Sequence, residues 1–456
     1  MNRLILMTTA ALCAAPVTLA PQPAHATGLM EAWAAAARHD PDHQGAKAQR
    51  DAGEEADVQA RALKRPSVQF QGSYQYTATE TNAQLPEDLD PYFTGGRSSG
   101  RASVGVQAVQ PLYDASKRAQ AIQLHEKAAG SRVQFEGEEQ QLVLRVAQAY
   151  FTLLSAQDDL AASRRQVDAA EEQRRGAQAR FDAGRARITD VREAEAKRDA
   201  GEVQRIAAES DLAYAQAAFT ELTGLPAEGL DRPAADFTPP LPVLALEDTL
   251  EQAETDAPAV RAAQHSSRAA GAEVDRYGLS GRPVVEGVAG YQGQYRLGGE
   301  SGNGIIPDRI QSASVGLRLT VPLYTGGGIA SKEREAEANT TKALRDVDAA
   351  RRDARLQARK AWYAVANGAR RVAALGTARG SAGLQQDAAT IGRDVGIRTQ
   401  NDVLNAQSQN IDTERDRLQA IYDYMLARLQ LYAATGRLGE SELADVGRLM
   451  QRGAPG

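Results

Sequence analysis

The sequence predicts an α+β membrane protein written twice over, each half joining a β-hairpin to a very long helical arm. Three observations carry that expectation. Short phrases recur in order: 111-PLY-113 returns as 322-PLY-324, 65-RP-66 as 282-RP-283, and 221-ELTG-224 as 433-AATG-436. No proline interrupts the chain between Pro111 and Pro226, or between Pro322 and Pro455. Four tracts alternate apolar and polar residues at the period of a strand rather than of a helix.

The first 26 residues are set apart from the rest. Arg3 precedes an apolar run from Leu4 to Ala15, and 24-AHA-26 places small residues before a cleavage point, the layout of a secretory signal peptide. Leu12 stands before Cys13, where a lipid-anchor signal would carry a small residue. Cys13 is the single cysteine, so the cleaved chain would hold neither disulfide nor thiolate site. No later run reaches the length of about 18 apolar residues that a membrane-crossing helix needs. An exported chain of this kind is soluble or enters a membrane as a barrel. The net charge of -6 speaks against a nucleic-acid partner.

The repeat organises the remainder as a first unit over 27–224, a linker over 225–245, a second unit over 246–436 and a tail over 437–456. From about Leu144 to Gly224 the two copies run at a constant offset of 212 residues: Ala149-Tyr150-Phe151 falls on Ala361-Trp362-Tyr363, and Asp190-Val191 on Asp402-Val403. Each unit opens with a helical segment (28–63, 246–278). A hairpin follows (66–111, 283–322), and then long helices that reverse near 184 or 396. The stretch 225-LPAEGLDRPAADFTPPLP-242 reads as a surface connection. Leu142, Val146, Ala149, Leu153, Ala156, Leu160, Ser163, Val167 and Ala170 alternate in steps of four and three. In the second unit Leu404, Ile411, Leu418, Met425 and Tyr432 recur every seventh residue. These are coiled-coil seams, and they continue far beyond ordinary helix lengths.

The strand tracts present two chemistries. Val68, Phe70, Gly72, Tyr74 and Tyr76 share one face, against Ser67, Gln69, Gln71, Ser73 and Gln75 on the other. Val104, Val106 and Ala108 alternate with Ser103, Gly105 and Gln107. Val285, Ala289, Tyr291, Tyr295 and Leu297 oppose Glu286, Gln292, Gln294 and Arg296, while Ala313, Val315, Leu317, Leu319 and Val321 oppose Ser314, Gly316, Arg318 and Thr320. Each tract is about ten residues, the length that crosses an outer membrane at a tilt. Loops 77–100 and 298–310 would then face outward. Four strands cannot close a barrel, and lipid does not tolerate an open edge, so a membrane-spanning sheet must close against copies of itself. Three copies give about twelve strands and a water-filled lumen; two give about eight.

One charged phrase interrupts both long helical runs: 182-DAGRARITD-190 and 394-DVGIRTQND-402. With the leader, the duplication, the hairpins ending in P-L-Y and the T-G that closes each half, these phrases resemble the TolC family of outer-membrane channel proteins over nearly the whole chain. The resemblance implies a homotrimer whose twelve-stranded β-barrel, four strands per chain, sits among outer-membrane lipid and continues as a coiled-coil helical tunnel through the periplasm. It implies docking on a periplasmic adaptor and an inner-membrane ABC or proton-driven transporter, with protein or small-molecule cargo and no cofactor. Gly184 and Gly396 match the family's tip glycines, and Arg185 and Ile397 the adaptor-contact positions beside them; Arg185 stands where an apolar residue is usual. Arg398 resembles an arginine that holds the entrance closed by bonding the neighbouring tip, where Thr189 and Asp190 resemble its partners. Asp402 resembles a constriction-ring carboxylate. Asn405 replaces a second ring aspartate and Arg393 a gate tyrosine, which implies a less negative entrance and a rewired latch. The early Asp40-Pro41 pair leans toward the protein-secretion branch.

Two other classes compete. Only five histidines are present; Pro41 separates His39 from His43, His125 and His265 stand alone in helical tracts, and all read as solvated rather than catalytic or metal-ligating. A coiled-coil periplasmic adaptor or scaffold would share the helices but not the duplicated alternating hairpins.

Overall fold

A computed structural model describes residues 27–81, 95–234, 236–241, 244–297 and 309–451. The leader, with Cys13 and His25, lies outside the described residues, as do 82–94 and 298–308 of the two predicted loops.

The chain runs α1 (Leu29–His39), α2 (Pro41–Ala62), β1 (Ser67–Thr81), β2 (Gly95–Tyr113), α3 (Ala115–Asp182), α4 (Ile188–Thr223), α5 (Leu246–Asp256), α6 (Pro258–Gly278), β3 (Val284–Leu297), β4 (Arg309–Thr320), α7 (Gly328–Asp394), α8 (Gln400–Ala434) and α9 (Glu440–Gln451). The helical segments expected over 28–63 and 246–278 are each broken in two. Proline supplies no N–H and restricts the residue before it, so Pro41 and Pro258 each begin a new helix. Asp40 caps the first break by accepting from the Asp42 N–H at 3.3 Å.

The four strands form one antiparallel sheet in the order β1-β2-β3-β4. Phe70 pairs with Val106, Val106 with Tyr291, and Tyr291 with Ala313, so the apolar faces of all four strands coincide. Among the described residues nothing packs on that face: Phe70 is 73% exposed and Val315 91%. The opposite face is polar and hollowed by a cavity of about 260 Å³ lined by Gln71, Ser103, Gln107, Gln292, Ser312 and Ser314. Near the helices, Arg318 bonds Glu286 at 2.9 Å directly across the ladder.

The strands are longer than their alternating tracts suggest. β1 has 15 residues and β2 has 19, so 77–81 and 95–100 belong to the ladder rather than to a loop. Ladder pairing uses backbone groups alone, and the β-branched threonines of 77-TATET-81 suit it. At about 3.3 Å per residue β1 is roughly 50 Å long, more than a tilted strand needs to cross an apolar band about 25 Å tall. β2 also runs through Pro111 and reaches Tyr113, with a bulge between them.

At 1.5 Å per residue the 68 residues of α3 and the 67 of α7 are each about 100 Å long. α4 and α8, with 36 and 35 residues, cover about half that length from the turn. The other half of α3 packs against α2 and α6, and that of α7 against α5 and α6. Arg132 bonds Asp57 of α2 at 2.6 Å; Arg261 and Arg268 of α6 bond Glu136 and Glu126 of α3 at 2.6 and 2.8 Å. Two histidines expected to be solvated join these straps: the Nδ1 of His125 lies 2.9 Å from Asp57, and that of His265 lies 2.8 Å from Glu126. His43 instead packs its ring on Phe135.

The largest core lies mid-rod, where Leu142, Val146, Leu153, Phe219, Met425 and Leu429 are buried. The seams supply Leu142, Val146, Leu153 and Met425; α1, α9 and the linker wrap the cluster, so 440–451 of the tail packs Leu443, Val446 and Met450 inward. Aromatic residues at equivalent positions of the two repeats fasten the linker. The Tyr150 hydroxyl donates to the Thr27 and Asp231 carbonyls at 2.9 and 3.1 Å, and the Trp362 indole to the Leu244 carbonyl at 3.1 Å. Tyr422 donates to Asp158 at 2.7 Å, an acceptor that Arg232 of the linker shares. Burial against Asp158 raises the Tyr422 phenol above its ordinary range, so it remains a donor.

Removing the Tyr150 hydroxyl takes away the donor that the Thr27 and Asp231 carbonyls share. Tyr150→Phe is expected to destabilise the folded protein by about 1–3 kcal/mol, seen as a lower melting temperature with unchanged helical content; an unaltered melt would mean the hydroxyl anchors nothing.

Candidate functional site at the helical tips

The far ends of α3 and α7 turn back by the same set of bonds. The Arg185 N–H donates to the Arg180 carbonyl and the Ile397 N–H to the Gly392 carbonyl, both at 2.8 Å. Gly184 donates to Phe181 at 2.8 Å, and Gly396 to Arg393 at 3.0 Å. Gly184 and Gly396 have φ of 69° and 81°, the left-handed conformation that ends helices and that side chains disfavour. Each turn therefore stops its helix for the same physical reason.

The aspartates of the repeated phrase share a second role. Asp402 is the third residue of α8, and its carboxylate accepts from the Thr399 N–H at 2.8 Å and hydroxyl at 2.9 Å. The Thr399 hydroxyl in turn accepts from the Asp402 N–H at 3.2 Å, completing a capping box. Asp190 does half of this for α4, accepting from the Arg187 N–H at 3.2 Å; arginine has no acceptor to return the bond. The spacing Thr399-x-x-Asp402 carried this signal in the sequence. The Thr399 bonds, chiefly its N–H, hold the Asp402 carboxyl below the usual carboxylate range, and the nearby Arg398 charge adds to this.

The predicted site residues fall into two groups. Thr189, Asp190, Gly184 and Arg185 are exposed at the first turn, and Gly396, Ile397 and Arg398 at the second; Ile397 is 80% exposed. Within the chain Asp190 and Thr399 come together in a groove of about 280 Å³, with Gln173, Arg180 and Glu193. Gln173 bonds Asn401 across it. Among the described residues Arg398 makes no ion pair with Asp190; its charge bears on Asp402 of its own tip. Asn405 lines a separate cavity of about 250 Å³ between α3, α4 and α8, and Arg393 bonds its neighbour Asp394 at 2.7 Å. No cluster of metal-ligating side chains occurs among the described residues.

This architecture of lipid-ready sheet, half-length helices and paired turns is matched by a family model described as outer membrane efflux protein, over residues 34–225 and 249–437. The chain belongs to the outer membrane efflux protein family. It is 30% identical to outer membrane protein TolC of Vibrio cholerae over 429 residues, 92% of this chain and 93% of that one. It is 28% identical to the alkaline protease secretion protein AprF of Pseudomonas aeruginosa, covering 92% and 86%. The structure of the Campylobacter jejuni CmeC outer membrane channel matches with a TM-score of 0.72 at 15% identity, covering 93% and 90%, a likeness of fold. The protein is accordingly an outer-membrane exit duct for export, with its strands in the outer membrane and a large helical periplasmic part. The matched family is one of channels.

Because folding lowers the Asp402 pKa, its contribution to the tip is full above the unfolded value of about 3.9 and disappears as pH falls through the lower folded one. Hydrogen exchange at residues 397–403, corrected for intrinsic rates, is expected to show the same protection at pH 7 and pH 5 and a loss only in stronger acid. Thr399→Ala should weaken that protection at every pH, by about 1 kcal/mol.

Proposed function

We propose that the chain acts as a homotrimer forming the outer-membrane exit of a tripartite export system, closed at its periplasmic end by the two helical tips. The observation that carries this reading is the sheet itself. Among the described residues β1 and β4 each have one unpaired edge and the apolar face is uncovered, while the polar face is concave. Pairing β4 of one copy with β1 of the next satisfies both edges, and three copies make a barrel of about twelve strands, wide enough for a water-filled lumen. The helices that leave the sheet then form a tunnel around the same axis.

At the closed end, Arg398 of one tip reaches Thr189 and Asp190 of the neighbouring copy. Among the described residues Arg398 is exposed and makes no such pair within its own chain, which leaves it available for a contact between copies. An arginine–carboxylate bond is strong enough to hold and breakable by a competitor. Three copies of Asp402 ring the passage and favour cations. The exposed turn residues Arg185 and Ile397 form the docking points for a periplasmic adaptor that brings an ABC or proton-driven inner-membrane transporter. The names of relatives include both a protease secretion protein and the efflux protein BepC of Brucella suis, and the duct reading serves protein and small-molecule cargo alike.

Purified protein is expected to run as a trimer and to conduct ions in planar bilayers; a monomer without conductance would overturn the reading. Arg398→Ser should raise the conductance of the isolated channel. Asp402→Ala should move the reversal potential under a salt gradient toward zero, and an unmoved potential would remove Asp402 from the passage.

A further inference from the structure

Gly392 lies inside the last turn of α7, and nothing in the backbone requires a glycine there. It is helical, where glycine is disfavoured relative to alanine. Its counterpart in the first repeat is Arg180, whose carbonyl accepts the corresponding bond at the same 2.8 Å. The turn therefore forms equally well with a side chain at this position. What differs is the space above it. Gly392 is buried, and a Cβ placed on it would lie 2.6 Å from the Cγ of Arg398 and 3.3 Å from its Cβ. The Gly392 carbonyl also accepts from both the Ile397 and Arg398 N–H groups, at 2.8 and 3.0 Å, which pins the Arg398 backbone over this spot.

We infer that Gly392 is the positioning residue for Arg398: the missing side chain makes a seat for the arginine stem and thereby fixes where the guanidinium points. This deepens the latch proposed above and rests on it. A methyl group at 392 leaves the backbone bonds in place and meets the stem close to its root. The stem cannot bend away at its far end, so it must change its first torsion, which swings the whole charged head. The first tip reverses the pairing: a bulky Arg180 stands at the place of Gly392, and a small Ala186 at the place of Arg398, with no long stem to seat. Of the two turns, only the second combines a glycine seat with an arginine above it.

The test compares Gly392→Ala, Arg398→Ser and the double variant as full-length protein in planar bilayers. Spin labels at position 185 (Arg185→Cys in each background) report tip-to-tip distances between copies. Gly392→Ala is expected to raise conductance to the level of Arg398→Ser and to broaden the tip distances in the same way, with the double variant no higher than Arg398→Ser and an unchanged melting temperature. If Arg398→Ser raises conductance and Gly392→Ala does not, the seat is refuted while the latch stands. If neither raises it, the latch falls and the seat with it. Additive effects would show that Gly392 acts other than through Arg398. Should Gly392→Ala fail to assemble, recovery in the double variant would identify Arg398 as the clashing partner, and continued failure would refute the seat.

Discussion

The structure depends on one unmet requirement: a strand in hydrocarbon must have backbone partners on both sides. Among the described residues β2 and β3 have them; β1 and β4 do not. The apolar face of the sheet repeats the message, since Tyr74, Val315 and Leu317 are exposed, with nothing among the described residues upon them. A single chain is therefore an unfinished wall. β2 passes through one residue, Asp114, into α3, whose Lys117 N–H donates to the Asp114 carboxylate at 3.0 Å. Whatever closes the strands thus sets the spacing of the rods below them.

The rods carry that spacing for about 100 Å, largely on small side chains. Alanine lines much of the buried seam, as at Ala354, Ala358, Ala361 and Ala389 of α7, and permits close helix approach at modest burial per contact. Large residues concentrate mid-rod, where Leu153, Tyr424 and Met425 are fully enclosed and the linker crosses. The tips are held instead by small clusters, such as Ala389, Val403 and Ala406, and by caps. Cohesion is thus greatest at the girdle and least at the end proposed to open, as a moving part requires.

The faces of the strands, the seams and the two turns were legible in the sequence because each rests on a local period or on a residue with one conformational use. Strand ends were less so: 77-TATET-81 pairs through its backbone, which leaves little side-chain signature. The roles of His125 and His265 were hidden because Asp57 and Glu126 lie 68 and 139 residues away along the chain. Asp402 was singled out by resemblance as a ring carboxylate, although Thr399-x-x-Asp402 announced a capping box beforehand. Gly392 carried no signal at all, since the conflict it avoids is with a side chain six positions on and across a turn.

The inequality of the two turns also bears on what can meet them. In the proposed trimer, three copies of a duplicated chain would present six hairpins around the axis, but of two kinds in alternation. One leads with Arg185, charged and hydrated, and the other with the bare apolar Ile397. A ring of six identical partner surfaces facing them would find every second contact chemically different. A partner docking there as proposed would have to tolerate both kinds of knob or use its own copies in unequal pairs, so the asymmetry of an ancient duplication would be handed to the next protein along.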